Sequence, residues 1–94
     1  MGRKFKNENT DFLVDCIMEI KDRDECYNFF QDLCTVTEFH AMAQRCVVAK
    51  MLSDKRVYAD IVTETGASTA TISRVNRSLQ DGADGYDVIF NRIK

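Results

Sequence analysis

The feature that most constrains this fold is a single glycine between two short amphipathic segments, within YADIVTETGASTATISRVNRSL at positions 58–79. A tight turn between two helices needs a residue in the left-handed backbone region, and Gly66 can adopt it without a steric penalty. Apolar residues occur at helical spacing on both sides of the glycine: Ile61, Val62, Ile72, Val75 and Leu79. The pattern predicts a helix-turn-helix over residues 57–80.

The side of the second helix that faces outward has small, hydroxyl-bearing and basic side chains. Small residues allow close approach to base edges and thymine methyl groups, and arginines can bind guanine or phosphate. Ser68 is also placed to cap this helix and to leave free N–H groups for a phosphate. The candidate DNA-binding residues are Tyr58, Ala59, Ser68, Thr69, Ala70, Thr71, Ser73, Arg74 and Arg77. Lys55, Arg56 and Arg77 are expected at the phosphate backbone.

The rest of the chain has the pattern of an all-α fold with about six helices. Proline is absent and no segment alternates with period two, which disfavours a sheet. We expect Asn9, Thr10 or Asp11 to cap the first helix, and a capping box from Thr35 to Glu38 to open a third helix that ends near Leu52. A final helix opens at Asp84 or Gly85. With 94 residues, we expect one domain over 1–94.

The aromatic residues suggest that one subunit is incomplete alone, because a chain this small has little room to bury them. They are Phe12, Tyr27, Phe29, Phe30, Phe39 and Phe90. We therefore expect a homodimer. The alternative is an ordinary monomeric helical bundle.

The charge is unevenly distributed along the chain. The net charge is −2, which is unusual for a DNA-binding protein. Residues 44–80 nevertheless contain six basic and three acidic side chains, whereas residues 1–34 contain five basic and eight acidic ones. The positive excess falls around the predicted helix-turn-helix, although an excess of this size is also common on ordinary solvated helices.

Enzymatic and metal-binding functions have little support in the sequence. The cysteines at 16, 26, 34 and 46 form no C-x-x-C pair, and His40 is the only histidine. We interpret the cysteines as small buried apolar residues, and we expect no metal, no cofactor and no catalysis. The chain has no apolar run long enough to cross a membrane and no signal-peptide pattern at its start, so we expect a cytoplasmic protein without membrane contact.

Arg45 onward, and especially GASTATISRVNRSL from Gly66 to Leu79, resembles the tryptophan repressor family, in particular its repressor-like members from Gram-positive bacteria. The resemblance implies six helices in an intertwined dimer, with a shared core from residues 8–53 and 84–94. Two recognition helices would then enter successive major grooves of a pseudo-palindromic operator about 34 Å apart. The resemblance thus implies a sequence-specific DNA-binding regulator, most simply a repressor. The alternative is a helical dimeric interaction module that has lost DNA binding.

The resemblance also implies a possible corepressor site. Arg45, Arg74 and Ser78 match the two arginines and the serine that bind the effector in the family. Tryptophan-responsive members have a glycine after the recognition-helix arginine, and this chain has Val75. We expect the β-branched side chain to occupy space that an indole ring needs, so that tryptophan is not the effector. Alternatively, Arg74 contacts DNA or pairs with an acidic neighbour, and Arg45 is simply a solvated charge.

Overall fold

The computed structural model of the protein describes residues 5–93; the two ends of the predicted domain, residues 1–4 and 94, lie outside the described residues. Within residues 5–93 the chain forms six α-helices and no strand, which confirms the predicted all-α fold. The helices are α1 (Glu8–Met18), α2 (Arg23–Leu33), α3 (Val36–Ser53), α4 (Tyr58–Thr65), α5 (Thr69–Asp81) and α6 (Gly85–Arg92). They fall into two compact units that divide between Thr35 and Val36.

The first unit contains α1 and α2, and both helices begin at a side-chain cap. Asn7 Oδ1 accepts a hydrogen bond from the Thr10 N–H over 2.9 Å, and Thr10 Oγ1 accepts one from the Asn7 N–H over 2.8 Å. Helix α1 thus starts at Glu8, earlier than the predicted caps Asn9, Thr10 and Asp11 would allow. The reason is that the two bonds between Asn7 and Thr10 satisfy free N–H groups of the first turn. Asp22 caps α2 by accepting from the Glu25 N–H over 2.8 Å.

Neither helix of the first unit contains a buried residue. Phe12 is 70% exposed and Met18 is 75% exposed, although both belong to the apolar part of α1. Tyr27 and Leu33 of α2 are also exposed. Phe12 and Tyr27 belong to the aromatic residues that the sequence predicted to need a second subunit, and the subunit by itself does not bury them.

The second unit has a hydrophobic core built around α3. Helix α3 packs against α4, α5 and α6. The buried residues of the core come from three of these helices and from the turn: Val48, Ala49, Met51, Ile61, Ala67, Ile72 and Val75. This core fixes α4 and α5 against one rigid support.

The last helix packs on the edge of this core through its aromatic residues. Tyr86 stacks on Phe90 with ring centroids 5.7 Å apart, and Lys50 Nζ lies 5.8 Å from the Phe90 centroid. Lys50 also pairs at 3.1 Å with Asp54, which follows the last residue of α3. Helix α6 starts at Gly85, as the sequence predicted. Asp84 in front of it adopts a left-handed conformation. None of the helices between residues 5 and 93 has the length and apolar character needed to cross a bilayer.

Candidate nucleic-acid interface

The turn between α4 and α5 is built on a left-handed glycine, as the sequence predicted. Gly66 has φ 73° and ψ 5°, and its N–H donates to the Val62 carbonyl oxygen over 2.9 Å. A Cβ added at Gly66 would meet no atom within 4 Å, so the requirement for glycine comes from the backbone and not from crowding. This conformation ends α4 and redirects the chain within three residues into α5.

Helix α5 begins at a serine cap, which also confirms the prediction. The Ser68 hydroxyl accepts a hydrogen bond from the Thr71 N–H over 3.1 Å and lies 3.1 Å from the Thr71 hydroxyl, to which it donates. Thr71 is half-buried, whereas Ser68 is exposed. The two hydroxyls therefore complete the first turn of α5 together, and Thr71 is the least accessible of the proposed DNA contacts on this helix.

The two sides of α5 differ sharply in burial. Ile72 is fully buried and Val75 is 2% exposed, both in the core against α3. The opposite side spans about 140° of the helix at 3.6 residues per turn, and each of its proposed DNA-binding residues is exposed: Thr69, Ala70, Ser73, Arg74 and Arg77. The structure thus places these five on one accessible surface, which we call the α5 outer face.

The start of α4 supplies a second exposed group. Tyr58 and Ala59 are both exposed at the first two positions of the helix, and Val57 in front of them has no side-chain cap bond. Ile61 holds the helix by complete burial in the core. Val62, predicted to face inward with Ile61, is 36% exposed, because it lies beside the buried side of the short helix.

The hinge before α4 contains a contact that the sequence did not suggest. Arg56 forms a close ion pair with Glu64 of α4, although it was expected to bind phosphate. The pair joins a residue two positions before the helix to the last turn of the helix and therefore braces α4. Lys55 is exposed and adopts a left-handed conformation with φ 67°.

The three residues proposed for an effector are all accessible. Arg45, Arg74 and Ser78 are exposed, and the ion pairs found among residues 5–93 use neither arginine. Ser78 borders a recess of about 10 Å³ whose wall includes Asp84 and Asp87. That volume is close to the minimum for one water molecule.

Val75 lies on the buried side of α5. The Val75 side chain points into the core, so it fills space next to α3 and helps to hold α5. Its effect on a ring-binding pocket stays a prediction.

Among residues 5–93, no group of three or more histidine, cysteine, aspartate or glutamate residues could hold a metal ion.

Sequence patterns missed a hydrogen bond that ties the turn to α3. Gln44 Nε2 donates to the Thr65 carbonyl oxygen over 3.2 Å, and both residues are half-buried. The two residues are 21 positions apart in the chain. No sequence motif links Gln44 with Thr65, and only the packing of α4 on α3 brings them together.

Comparison with known proteins gives consistent results. A sequence profile described as Trp repressor protein matches residues 8–94. The uncharacterised protein YerC of Bacillus subtilis strain 168 is 50% identical over 91 residues, which cover 97% of this chain and 88% of YerC.

Two crystal structures match both in sequence and in fold. A candidate Trp repressor from Staphylococcus aureus is 51% identical, with a TM-score of 0.90 over 94% of this chain and 88% of that one. A TrpR-like protein from Eubacterium eligens is 53% identical, with a TM-score of 0.91 over 94% of this chain and 91% of that one. The matched profile, sequence and structures agree with the helix-turn-helix described above, and this chain belongs to the Trp repressor family.

Proposed function

We propose that the protein is a sequence-specific transcriptional regulator, most simply a repressor, that binds a pseudo-palindromic operator as a homodimer. The family to which the chain belongs is one of DNA-binding regulators and not of enzymes. Beyond this family role, we propose how the protein binds DNA, which residues contact it and that two subunits act together.

The observation that supports it most directly is the division of α5 into two sides. Ile72 and Val75 fix the helix to α3, so the outer face is held by a rigid support. Small side chains at Thr69, Ala70 and Ser73 allow the helix to approach base edges closely. The arginines of the same face can bind guanine or phosphate, and no ion pair among residues 5–93 occupies them.

Homodimer formation is supported by the exposed apolar residues of α1 and α2. Two helices of 11 residues each without a buried residue gain little stability from their own contacts. A second subunit packed on Phe12, Met18 and Tyr27 would remove these side chains from water. A two-fold dimer would also present two copies of α5, which suits an operator with two similar halves.

A small-molecule effector is a separate question from DNA binding. Arg45, Arg74 and Ser78 are exposed, so that a corepressor could reach all three side chains. We propose that tryptophan is not that corepressor, because this chain has Val75 where tryptophan-responsive members have glycine.

The test is a selection of bound duplexes from random DNA with the purified protein, with and without a metabolite extract. We expect recovery of a palindromic consensus that binds at about 10 nM or tighter, with at least about 1000-fold weaker binding to unrelated duplexes. A dimer that binds no duplex even at low salt would instead identify a protein-interaction module. A consensus that appears only with the extract would show that an effector is needed.

A further inference from the structure

The hydrogen bonds that fix the turn converge on Thr65, the last residue of α4. Its hydroxyl donates to the Ile61 carbonyl oxygen over 2.7 Å and accepts from the Ala67 N–H over 3.1 Å. Its own carbonyl oxygen accepts from Nε2 of Gln44 on α3 over 3.2 Å. Thr65 therefore connects the end of α4, the segment before α5, and the long helix that supports both.

These bonds satisfy groups that would otherwise lack partners. The last carbonyl groups of a helix have no partner within the helix, and the Ala67 N–H donates to a side chain instead of a helical carbonyl group. Ala67 is 2% exposed, so water has little access to its N–H group to replace the bond that this group donates to the Thr65 hydroxyl. Leaving a buried N–H group unpaired is costly, which makes the Thr65 hydroxyl difficult to replace by an apolar group.

The same bonds determine where the recognition helix starts. Ala67 is part of the hydrophobic core, Ser68 is the cap, and α5 begins at the next residue. A change in the position of the Ala67 backbone would therefore be transmitted to the outer face within one or two residues. Contacts to base edges tolerate only about 0.5 Å of displacement, whereas contacts to phosphates by long side chains tolerate more.

We propose that Thr65 and Gln44 are positioning residues that set the sequence specificity of DNA binding by fixing the start of α5 against α3. This inference rests on the proposed function. It assigns a role to two half-buried residues that lie off the outer face and act through the backbone of the turn.

The first test compares Thr65→Val with Thr65→Ser. Valine has nearly the same shape but cannot form either hydroxyl bond, whereas serine can form both. We expect Thr65→Val to weaken binding to the selected operator by about five- to tenfold, in line with the loss of a buried hydrogen bond. Thr65→Ser should restore the affinity. Binding to an unrelated duplex should change little, because the phosphate-binding charges are unchanged.

Thr63→Val is the matched control on the same helix. The Thr63 hydroxyl donates to the Ala59 carbonyl oxygen over 3.0 Å, in the same geometry as Thr65, but it is exposed and lies outside the turn. We expect this variant to bind the operator like the parent. Gln44→Leu should lose specificity as Thr65→Val does, because it leaves the Thr65 carbonyl oxygen without its donor.

A second measurement needs no DNA. Amide hydrogen exchange at Ala67 should be faster in Thr65→Val than in the parent and unchanged in Thr63→Val. If Thr65→Val binds the operator as the parent does, or exchanges at the same rate, the positioning role is wrong while the proposed function stands. Equal losses for operator and unrelated duplex would show a merely structural role and overturn the inference. A parent protein that binds no duplex overturns both proposals.

Discussion

Ala70 lies in the first turn of α5, on the outer face and away from the buried Ile72. We expect Ala70→Asp to weaken operator binding by about 100-fold, because a carboxylate would face base acceptors and phosphates without a donor. An acidic residue in the first turn suits the helix dipole, so the fold should remain intact. Gel-shift titration and thermal melting by circular dichroism measure the two effects.

The control for Ala70→Asp is Ala83→Asp, which adds the same charge at an exposed position in the loop between α5 and α6. This variant should bind the operator within about twofold of the parent, since a distant exposed charge is screened at ordinary salt. An Ala70→Asp variant that still protects the same operator would show that the outer face does not contact DNA.

Arg77 is the last basic residue of the outer face, and its exposed side chain suits a phosphate contact. We expect Arg77→Ala to weaken binding to operator and unrelated duplexes by a similar factor and to reduce the slope of log K against log salt by about 1. Arg23→Ala, at the start of α2, removes the same charge far from α5 in sequence and should leave the slope unchanged. A slope that is the same in the Arg77 variant and the parent would argue against a phosphate contact.

The residue at position 75 predicts which effector the protein does not bind. The Val75 side chain is almost completely buried beside α3, and we expect its two branches to occupy space that an indole ring would need. Isothermal titration of the parent protein with tryptophan should therefore show no binding up to concentrations of about 1 mM, which corresponds to a binding free energy weaker than about −4 kcal/mol. Micromolar affinity would contradict the assignment.

The turn at Gly66 connects α4 and α5 through a glycine with a positive φ, so this connection depends on the type of one residue. Gly66→Ala places a Cβ in a left-handed conformation and should lower the free energy of unfolding by about 1 to 2 kcal/mol. Gly85→Ala is the matched control, because a Cβ there also meets nothing within 4 Å and the residue has no positive φ. It should be neutral or stabilising by about 0.5 kcal/mol. Urea denaturation of both variants gives the comparison, and equal stabilities would show that the turn does not depend on glycine.

Most element boundaries could be predicted because their signals are local. Ser68 caps α5 by a bond to Thr71, Gly66 ends α4 by a bond to Val62, and Gly85 opens α6. The start of α1 was placed too late, because Asn7, Asn9 and Asp11 are all acceptable caps and only the bond to Thr10 distinguishes them. The bracing pair of Arg56 and Glu64 could not be predicted, since both residues also suit a solvated surface.

The exposed apolar surface of α1 and α2 predicts that the protein assembles into a dimer. We expect sedimentation equilibrium to show a dimer at micromolar concentration. Phe12→Glu should shift the equilibrium towards monomer by at least about tenfold, because it places a charge where an apolar contact is expected. Asn28→Glu adds a charge at an exposed polar position of α2 and should leave the dimer intact. A parent protein that sediments as a monomer would remove the basis for the two-fold operator.

The helical class, the helix-turn-helix and the residues of the outer face follow from the amino-acid sequence alone, because they depend on periodicity, caps and one glycine, all of which act over a few residues. The tertiary structure decided which apolar residues one subunit buries: Val48, Ile61 and Ile72 are fully buried, whereas Phe12 and Met18 are exposed. It also decided that Gln44 meets Thr65 and that Arg56 meets Glu64. Burial and long-range pairing depend on which helices pack together, and a helical pattern in the sequence does not specify its packing partner.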